Sequence, residues 1–320
     1  MVTIVVPVYN ARSSIEECLA SIAAQSYRDW ECVVVDDGST DGSGDICDRF
    51  QLEDSRFKVV HQANRGVSAT RNKALDAASG DYVAFVDADD ALMPDAIEKL
   101  VAAIGDSDLV VAGMRHEYRD GKTKIVAPAT SVRFELLPRE TEKMLDLERK
   151  FLLYAPHEKL YRRSIIERFS SRFEEGCSYG EDLMFNFGYL EHVGAISCIE
   201  DPIYKYRISG EGLSAAYRPD QFSQDYSQWK LVRSFYERKG MISSQLDEYH
   251  FKRLWGIVYD GLFAYPKQES KRGYIESILD IPEIASLDKH RDVFSCSNWI
   301  KKAILGRNKF VFKAFFRLRK

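Results

Sequence analysis

Apolar and polar positions alternate along the first third of the chain with two different rhythms. Val2–Tyr9 is a β-branched run that predicts a strand buried on both faces. Ser14 then starts a predicted helix, with Glu17 placed for a capping box and Ile15, Leu19 and Ile22 on one face. Glu31–Val35, Phe57–Val60, Tyr82–Val86 and Leu109–Ala112 read as further strands. Between them lie predicted helices around Ile46 and Phe50, over Ser68–Ala78 with Ser79-Gly80 as its stop, and over Asp95–Ile104 after Pro94. Strands separated by short helices predict right-handed βαβ crossovers and a mainly parallel sheet.

Beyond Gly113 the rhythm changes. Asp120-Gly121 predicts a hairpin turn between Arg115–Arg119 and Lys122–Val126. Helices are expected over Glu140–Leu153 and Glu181–His192, and strands over Ala195–Ile199 and Ile203–Ile208. From Pro219 the pattern is mostly helical, anchored by Phe222, Trp229, Val232 and Phe235. The expected division is 1–215 as an α/β domain, with halves 1–113 and 114–215, followed by a smaller helical region, 216–320.

Composition adds limits. Hydrophobic residues make up 45% and charged residues 29%, as in ordinary globular proteins. A net charge of −4 argues against nucleic acid as the partner of the whole molecule. The cysteines form no CxxC pair and no zinc spacing with histidine, so reduced core residues and a cytoplasmic setting are expected. No secretory signal and no run of about 20 apolar residues is present.

Chemistry gathers at strand ends. Ligands of open α/β sheets bind beyond the carboxyl ends of the strands. Strand one ends in Pro7-Val8-Tyr9-Asn10, strand two in Asp36-Asp37-Gly38-Ser39, and strand four in Asp87-Ala88-Asp89-Asp90. Carboxylates crowded on one rim repel one another unless a cation sits among them. Oxygen ligands suit Mg²⁺ or Mn²⁺, which take one or two carboxylates together with substrate phosphates. Asp87 and Asp89 are the expected metal seat, whereas Asp41 and Asp95 fit helix capping. Two other patterns fit less well. The Asp37–Asp41 spacing resembles the opening of an EF-hand but follows a strand. Asp87-x-Asp89 resembles an aspartate phosphatase loop but has Ala91 two residues beyond its second Asp.

Four runs in order, VPVYN, VVVDDGSTDGS, NRGVSATRNKAL and GDYVAFVDADD, resemble family 2 of the inverting glycosyltransferases with the GT-A fold. The later YGEDLMFN and HEKLYRRSII segments are similar too, so the resemblance covers Met1 to Ser214. It implies a GT-A, Rossmann-like fold and transfer of one sugar from a nucleotide-sugar, such as a UDP-sugar, to a saccharide or lipid-linked acceptor. It also implies residue roles. Tyr9, beside Pro7, stacks on the donor base and Asp37 accepts from it. Arg71 lies near base or diphosphate, and Asn64 shapes that loop. Asp87 meets ribose or metal, and Asp89 binds the metal.

Inverting transfer needs a base for the acceptor hydroxyl. The resemblance places it in the acidic pair Glu181-Asp182, with Asp182 as base and Glu181 orienting it. The pair would otherwise complement a helix N-terminus, and His157 is a second possible base. The chain lacks a Q-x-x-R-W motif and membrane spans, both marks of processive synthases in this family. A non-catalytic nucleotide-sugar-binding scaffold is the competing class.

Residues 293–320 hold eight basic and no acidic residues, interleaved with aromatic and aliphatic ones. That composition predicts an interfacial helix holding the protein to the inner face of a membrane, or a helix packed on the domain.

Overall fold

The computed structural model describes residues 1–177, 179–208, 220–263, 271–284 and 298–307. The chain forms two compact units, Met1–Gly212 and Leu213–Lys320.

The first unit is built on a ten-stranded sheet. Its strands are β1 (Val2–Val8), β2 (Trp30–Asp36), β3 (Phe57–His61), β4 (Tyr82–Phe85), β5 (Ala91–Leu92), β6 (Leu109–Tyr118), β7 (Thr123–Val126), β8 (Val132–Glu135), β9 (Lys159–Arg162) and β10 (Ala195–Ile208). The order is β3-β2-β1-β4-β9-β6-β10-β5, with β7 on β6 and β8 on β10. Every residue of β1 and β2 is buried, as their unbroken apolar runs require. Helices α1 (Ile15–Ala23), α2 (Ser43–Glu53), α3 (Val67–Ala77) and α4 (Ala96–Ile104) connect this half. α3 packs on β1 and β2, and α4 on β6 and β10.

The strands β3, β2, β1 and β4 are mutually parallel, as the alternating pattern requires. Beyond β4 the sheet is mixed, a departure from the mainly parallel expectation. Lys159–Arg162 inserts antiparallel between β4 and β6. This four-residue strand has two basic ends, so no apolar run announced it. Ala195–Ile208 is one strand with a register shift around Pro202, where two strands were expected. Leu109–Tyr118 is likewise continuous and turns at Gly121 into β7. Two other boundaries differ. The Ser14–Glu17 capping box does not form: the Ser14 hydroxyl turns back to the Ala11 carbonyl at 3.2 Å. The helix expected to reach Leu153 ends at Arg149 (α5, Thr141–Arg149). Two residues on, Phe151 adopts φ 60, a left-handed conformation that no helix continues through. Short α6 (Arg163–Arg168) and α7 (Glu181–Leu190) complete this unit.

The second unit comprises α8 (Gln221–Arg238), α9 (Ser244–Phe263), α10 (Lys271–Leu279) and α11 (Asn298–Leu305). Its core joins Phe222, Trp229, Leu254, Val258 and Ile278, and the Trp229 indole donates to the His250 carbonyl at 2.8 Å. No described helix is long and apolar enough to cross a membrane. Of the basic segment, 308–320 and 293–297 lie outside the described residues. Cys18, Cys32, Cys47, Cys177 and Cys198 are free thiols, all but Cys177 buried. Cys296 lies outside the described residues.

Candidate active site

β1 delivers Tyr9 to the rim, where its side chain is 54% exposed, while Pro7 stays buried in the strand. Asn10 follows in a left-handed conformation, φ 48. Its amide donates to the Ser39 hydroxyl and its side-chain oxygen accepts from the Thr40 amide, tying the first loop to the second. Asp41 accepts from the amides of Arg12 and Ser43 and so braces the loop, but the helix capping expected of Asp41 and Asp95 does not form: α2 is capped at Gly42 and α4 at Asp95, neither with a side-chain bond.

Asp37 is only 2% exposed. One carboxylate oxygen accepts from Gln62 Nε2 at 2.8 Å and from the Arg65 amide at 2.9 Å; the other accepts from the Gly66 amide at 2.8 Å. Its role in the structure is to fix the backbone leading into α3, a task the sequence pattern did not disclose. Asn64 is exposed on that loop.

One turn into α3, Arg71 is 3% exposed. Its Nη2 donates to Asp87 at 2.8 Å and its Nη1 to Asp182 at 2.5 Å. The guanidinium lies over the Phe173 ring, 5.1 Å from the centroid. Phe173 is held in turn by Asn72, whose side chain makes both hydrogen bonds to the Phe173 backbone at 2.8 Å. Arg71 is therefore a buried cation, not the helix-surface arginine that its sequence setting equally allowed. Burial disfavours its charge, but Asp182 and Asp87 outweigh that and raise its pKa.

Asp182 occupies the first turn of α7, after Gly180 at φ 87, and Glu181 stands beside it. Burial raises the Asp182 carboxyl to about 6, with Asp87 and Glu181 adding to burial and Arg71 opposing it. Asp87 moves the other way: Arg71 overcomes its burial and holds it below the usual carboxylate range. Two carboxylates on one guanidinium are thus pushed apart, one toward an anion and one toward a titrating acid or base.

Asp89 is exposed; Arg207 donates to its backbone carbonyl at 3.3 Å, and the Arg207 charge favours its ionised carboxylate. Burial of its surroundings and the Asp87 charge raise its pKa. Among the described residues no three His, Cys, Asp or Glu side chains gather as a self-sufficient metal cage. The donor set still fits a hard divalent ion, because such ions bind through one or two carboxylates and complete their shell with substrate phosphate and water. Asp90, the third acid of the run, faces inward. It accepts from the Tyr204 hydroxyl and the Arg207 amide, each at 2.8 Å. Tyr204 in turn accepts from the Asp87 amide at 3.1 Å, so β10 braces the acidic loop.

His157 is buried and stacks on Tyr204 with centroids 4.5 Å apart. Its Nδ1 pairs with Glu158, which also holds Lys159. Burial opposes its charge, yet Glu158 raises its pKa. These bonds make it part of a buried ionic cluster. Tyr204, Glu158 and Phe173 were not recognised from sequence. Tyr204 and Phe173 sit far along the chain from Asp87, Asp90 and Arg71, which they position, whereas Glu158 holds its own neighbours His157 and Lys159.

The family model of glycosyl transferase family 2 matches residues 3–169. The chain belongs to that family. EpsH of Bacillus subtilis (strain 168) is 33% identical over 252 residues, covering 78% of this chain and 71% of EpsH. Among solved structures, S. aureus TarS 1–349 in complex with UDP-GlcNAc superposes with a TM-score of 0.71 at 21% identity, over 99% of this chain and 91% of that one. The mannosyltransferase PcManGT from Pyrobaculum calidifontis, in complex with GDP-Man and Mn²⁺, reaches 0.55 at 19% identity, over 99% of this chain and 86% of that one. The protein is a glycosyltransferase of the GT-A fold.

Proposed function

We propose that this enzyme transfers a single sugar from a UDP-sugar to a saccharide hydroxyl with inversion, by direct displacement at the anomeric carbon, with Asp182 as base. The observation that carries this reading is the meeting of Asp87 and Asp182 on the buried Arg71 guanidinium. A carboxyl near 6 is suited to accept a proton at neutral pH as the acceptor oxygen attacks. Glu181 helps keep it there, since its charge raises Asp182.

The other expected residues take roles consistent with this. Tyr9 offers an exposed ring to the donor base, seated by Pro7 and Asn10. Asp37 and Asn64 shape the loop that faces that base, and Arg71 orders the carboxylates at the diphosphate end. Asp89, with Asp87, would hold Mn²⁺ or Mg²⁺. When bound, that ion would neutralise charge building on the departing nucleoside diphosphate. The presence of a Mn²⁺–GDP-Man complex in a neighbour of the same fold supports metal use of this kind.

Asp182→Asn is the direct test. Nucleotide release from a UDP-sugar with acceptor should fall by ~10²–10⁴-fold, with UDP affinity within about twofold of wild type. Retention of turnover by this variant would exclude Asp182 as base, and a wild type that binds UDP without turnover would favour the scaffold reading.

The basic segment adds a second element to the proposal, attachment to an anionic membrane surface where a lipid-linked acceptor resides. The eight basic residues of 293–320 support it. Deleting 298–320 should abolish sedimentation with anionic vesicles and leave UDP binding intact; unchanged sedimentation would refute it.

A further inference from the structure

A cleft of about 590 Å³ opens beside His157 and Tyr206, within the size range of small-molecule sites. One wall is the β6–β7 hairpin, which contributes His116 and Lys124. The other is the end of α5 and the segment after it, with Arg149, Lys150, Phe151 and Tyr154. Three cations line it, and no aspartate or glutamate does. Lys124 is exposed and has no ion-pair partner among the described residues. Lys150 is shared with Asp146 at 2.9 Å and so contributes only part of its charge. Burial lowers the His116 pKa, with Lys124 and His157 adding to it and Glu158 opposing.

Rings form the rest of the lining. Phe151 is 58% exposed despite its size, and its left-handed backbone is held by a bond from its amide to the Glu148 carbonyl at 2.9 Å. A bulky residue at such φ is uncommon and accumulates where ligands are gripped. Phe151 rests against Tyr154 at 5.3 Å, and Tyr206 against both His116 and His157 at 5.4 Å. The back of the cleft is also the wall of the acidic rim: His157 stacks on Tyr204, whose hydroxyl bonds Asp90.

We propose that this cleft is the acceptor subsite and that it takes an anionic saccharide, one bearing a carboxylate or a phosphate. The proposal rests on the glycosyl-transfer reading of the Asp87–Asp182 site. The aromatic faces pack on the C–H faces of the sugar ring. Lys124, Arg149 and Lys150 receive its charge in a lining that includes none of Asp87, Asp89 and Asp182. That arrangement lets a negatively charged acceptor approach a negatively charged rim without direct repulsion, and it favours such an acceptor over a neutral one.

Calorimetric titration of the full chain, saturated with UDP, tests this with matched probes. Hyaluronan tetrasaccharide is compared with chitotetraose for the carboxylate arm, and glucose 6-phosphate with glucose for the phosphate arm. At least one charged probe should bind about tenfold more tightly than its neutral partner, and the gap should shrink in high salt. The double variant Lys124→Ala/Arg149→Ala should erase the gap. Phe151→Ala should weaken charged and neutral probes alike. Equal or tighter binding of the neutral probes, no binding of any probe, or an undiminished gap in the double variant each overturns the proposal. UDP affinity, measured in the same samples, decides the donor reading separately: its absence in wild type would sink that reading, while its retention in the variants isolates the cleft.

Discussion

Asp182 accepts a 2.5 Å hydrogen bond from Arg71 across 111 residues of chain, and the same guanidinium holds Asp87. A base at about 6 is protonated, and idle, below that pH. The kcat/KM profile is therefore expected to lose activity as pH falls through about 6. Arg71 favours the ionised form of Asp182, so Arg71→Met should move this acid limb to higher pH. Steady-state rates between pH 5 and 9 check both shifts; a limb unmoved by the substitution would show that another group titrates.

Asp89 offers a second, cleaner separation of folding from function. Its side chain is exposed, and its bond from Arg207 is made by the backbone carbonyl, which alanine keeps, so Asp89→Ala should leave the unfolding free energy within about 0.5 kcal/mol of wild type. The same variant should lose Mn²⁺-dependent tightening of UDP binding, and chelation of wild type with EDTA should reproduce that loss. Tightening by Mn²⁺ that persists in Asp89→Ala would place the ion elsewhere.

Asp37 should behave in the opposite way. Removing its carboxylate strands Gln62 Nε2 and the amides of Arg65 and Gly66. Asp37→Ala is expected to cost ~2–3 kcal/mol in urea unfolding and to weaken UDP binding together with stability. Loss of UDP binding with full stability would instead identify direct contact between Asp37 and the nucleotide.

Glu31 anchors the sheet away from the site. Burial would raise its carboxyl, but Lys58, the Thr3 hydroxyl and Ser79 overcome that and hold it at about 2. A depressed pKa gives stability that is present above the unfolded value near 4.3 and lost as pH falls toward 2. Glu31→Gln should therefore destabilise by about 2–3 kcal/mol at pH 7, with the deficit shrinking at acid pH. Urea melts at pH 7 and pH 3 measure it; a pH-independent deficit would assign the effect to packing.

How much of this could be read from the chain depends on distance along it. Strands β1, β2 and β4 were legible because apolar runs end abruptly in Tyr9, Asp37 and Asp87. The family resemblance placed Asp182. What no local pattern could show was pairing between remote segments. Arg71 looks like any helix arginine until Phe173 and two carboxylates enclose it. Asp90 belongs to the same acidic run as Asp89, yet a tyrosine on β10 draws it inward. Lys159 hides a central strand for a different reason: a lysine reads as a surface residue, and here its charge is buried against its neighbour Glu158 and the Ala155 carbonyl.

The grip of Asp37 on the amides of Arg65 and Gly66 has a thermodynamic consequence. Conformational freedom in that loop is surrendered when the polypeptide collapses, before any small molecule arrives. A ligand reaching it meets a backbone already frozen, so little entropy remains to be lost on association and more of the contact energy appears as affinity.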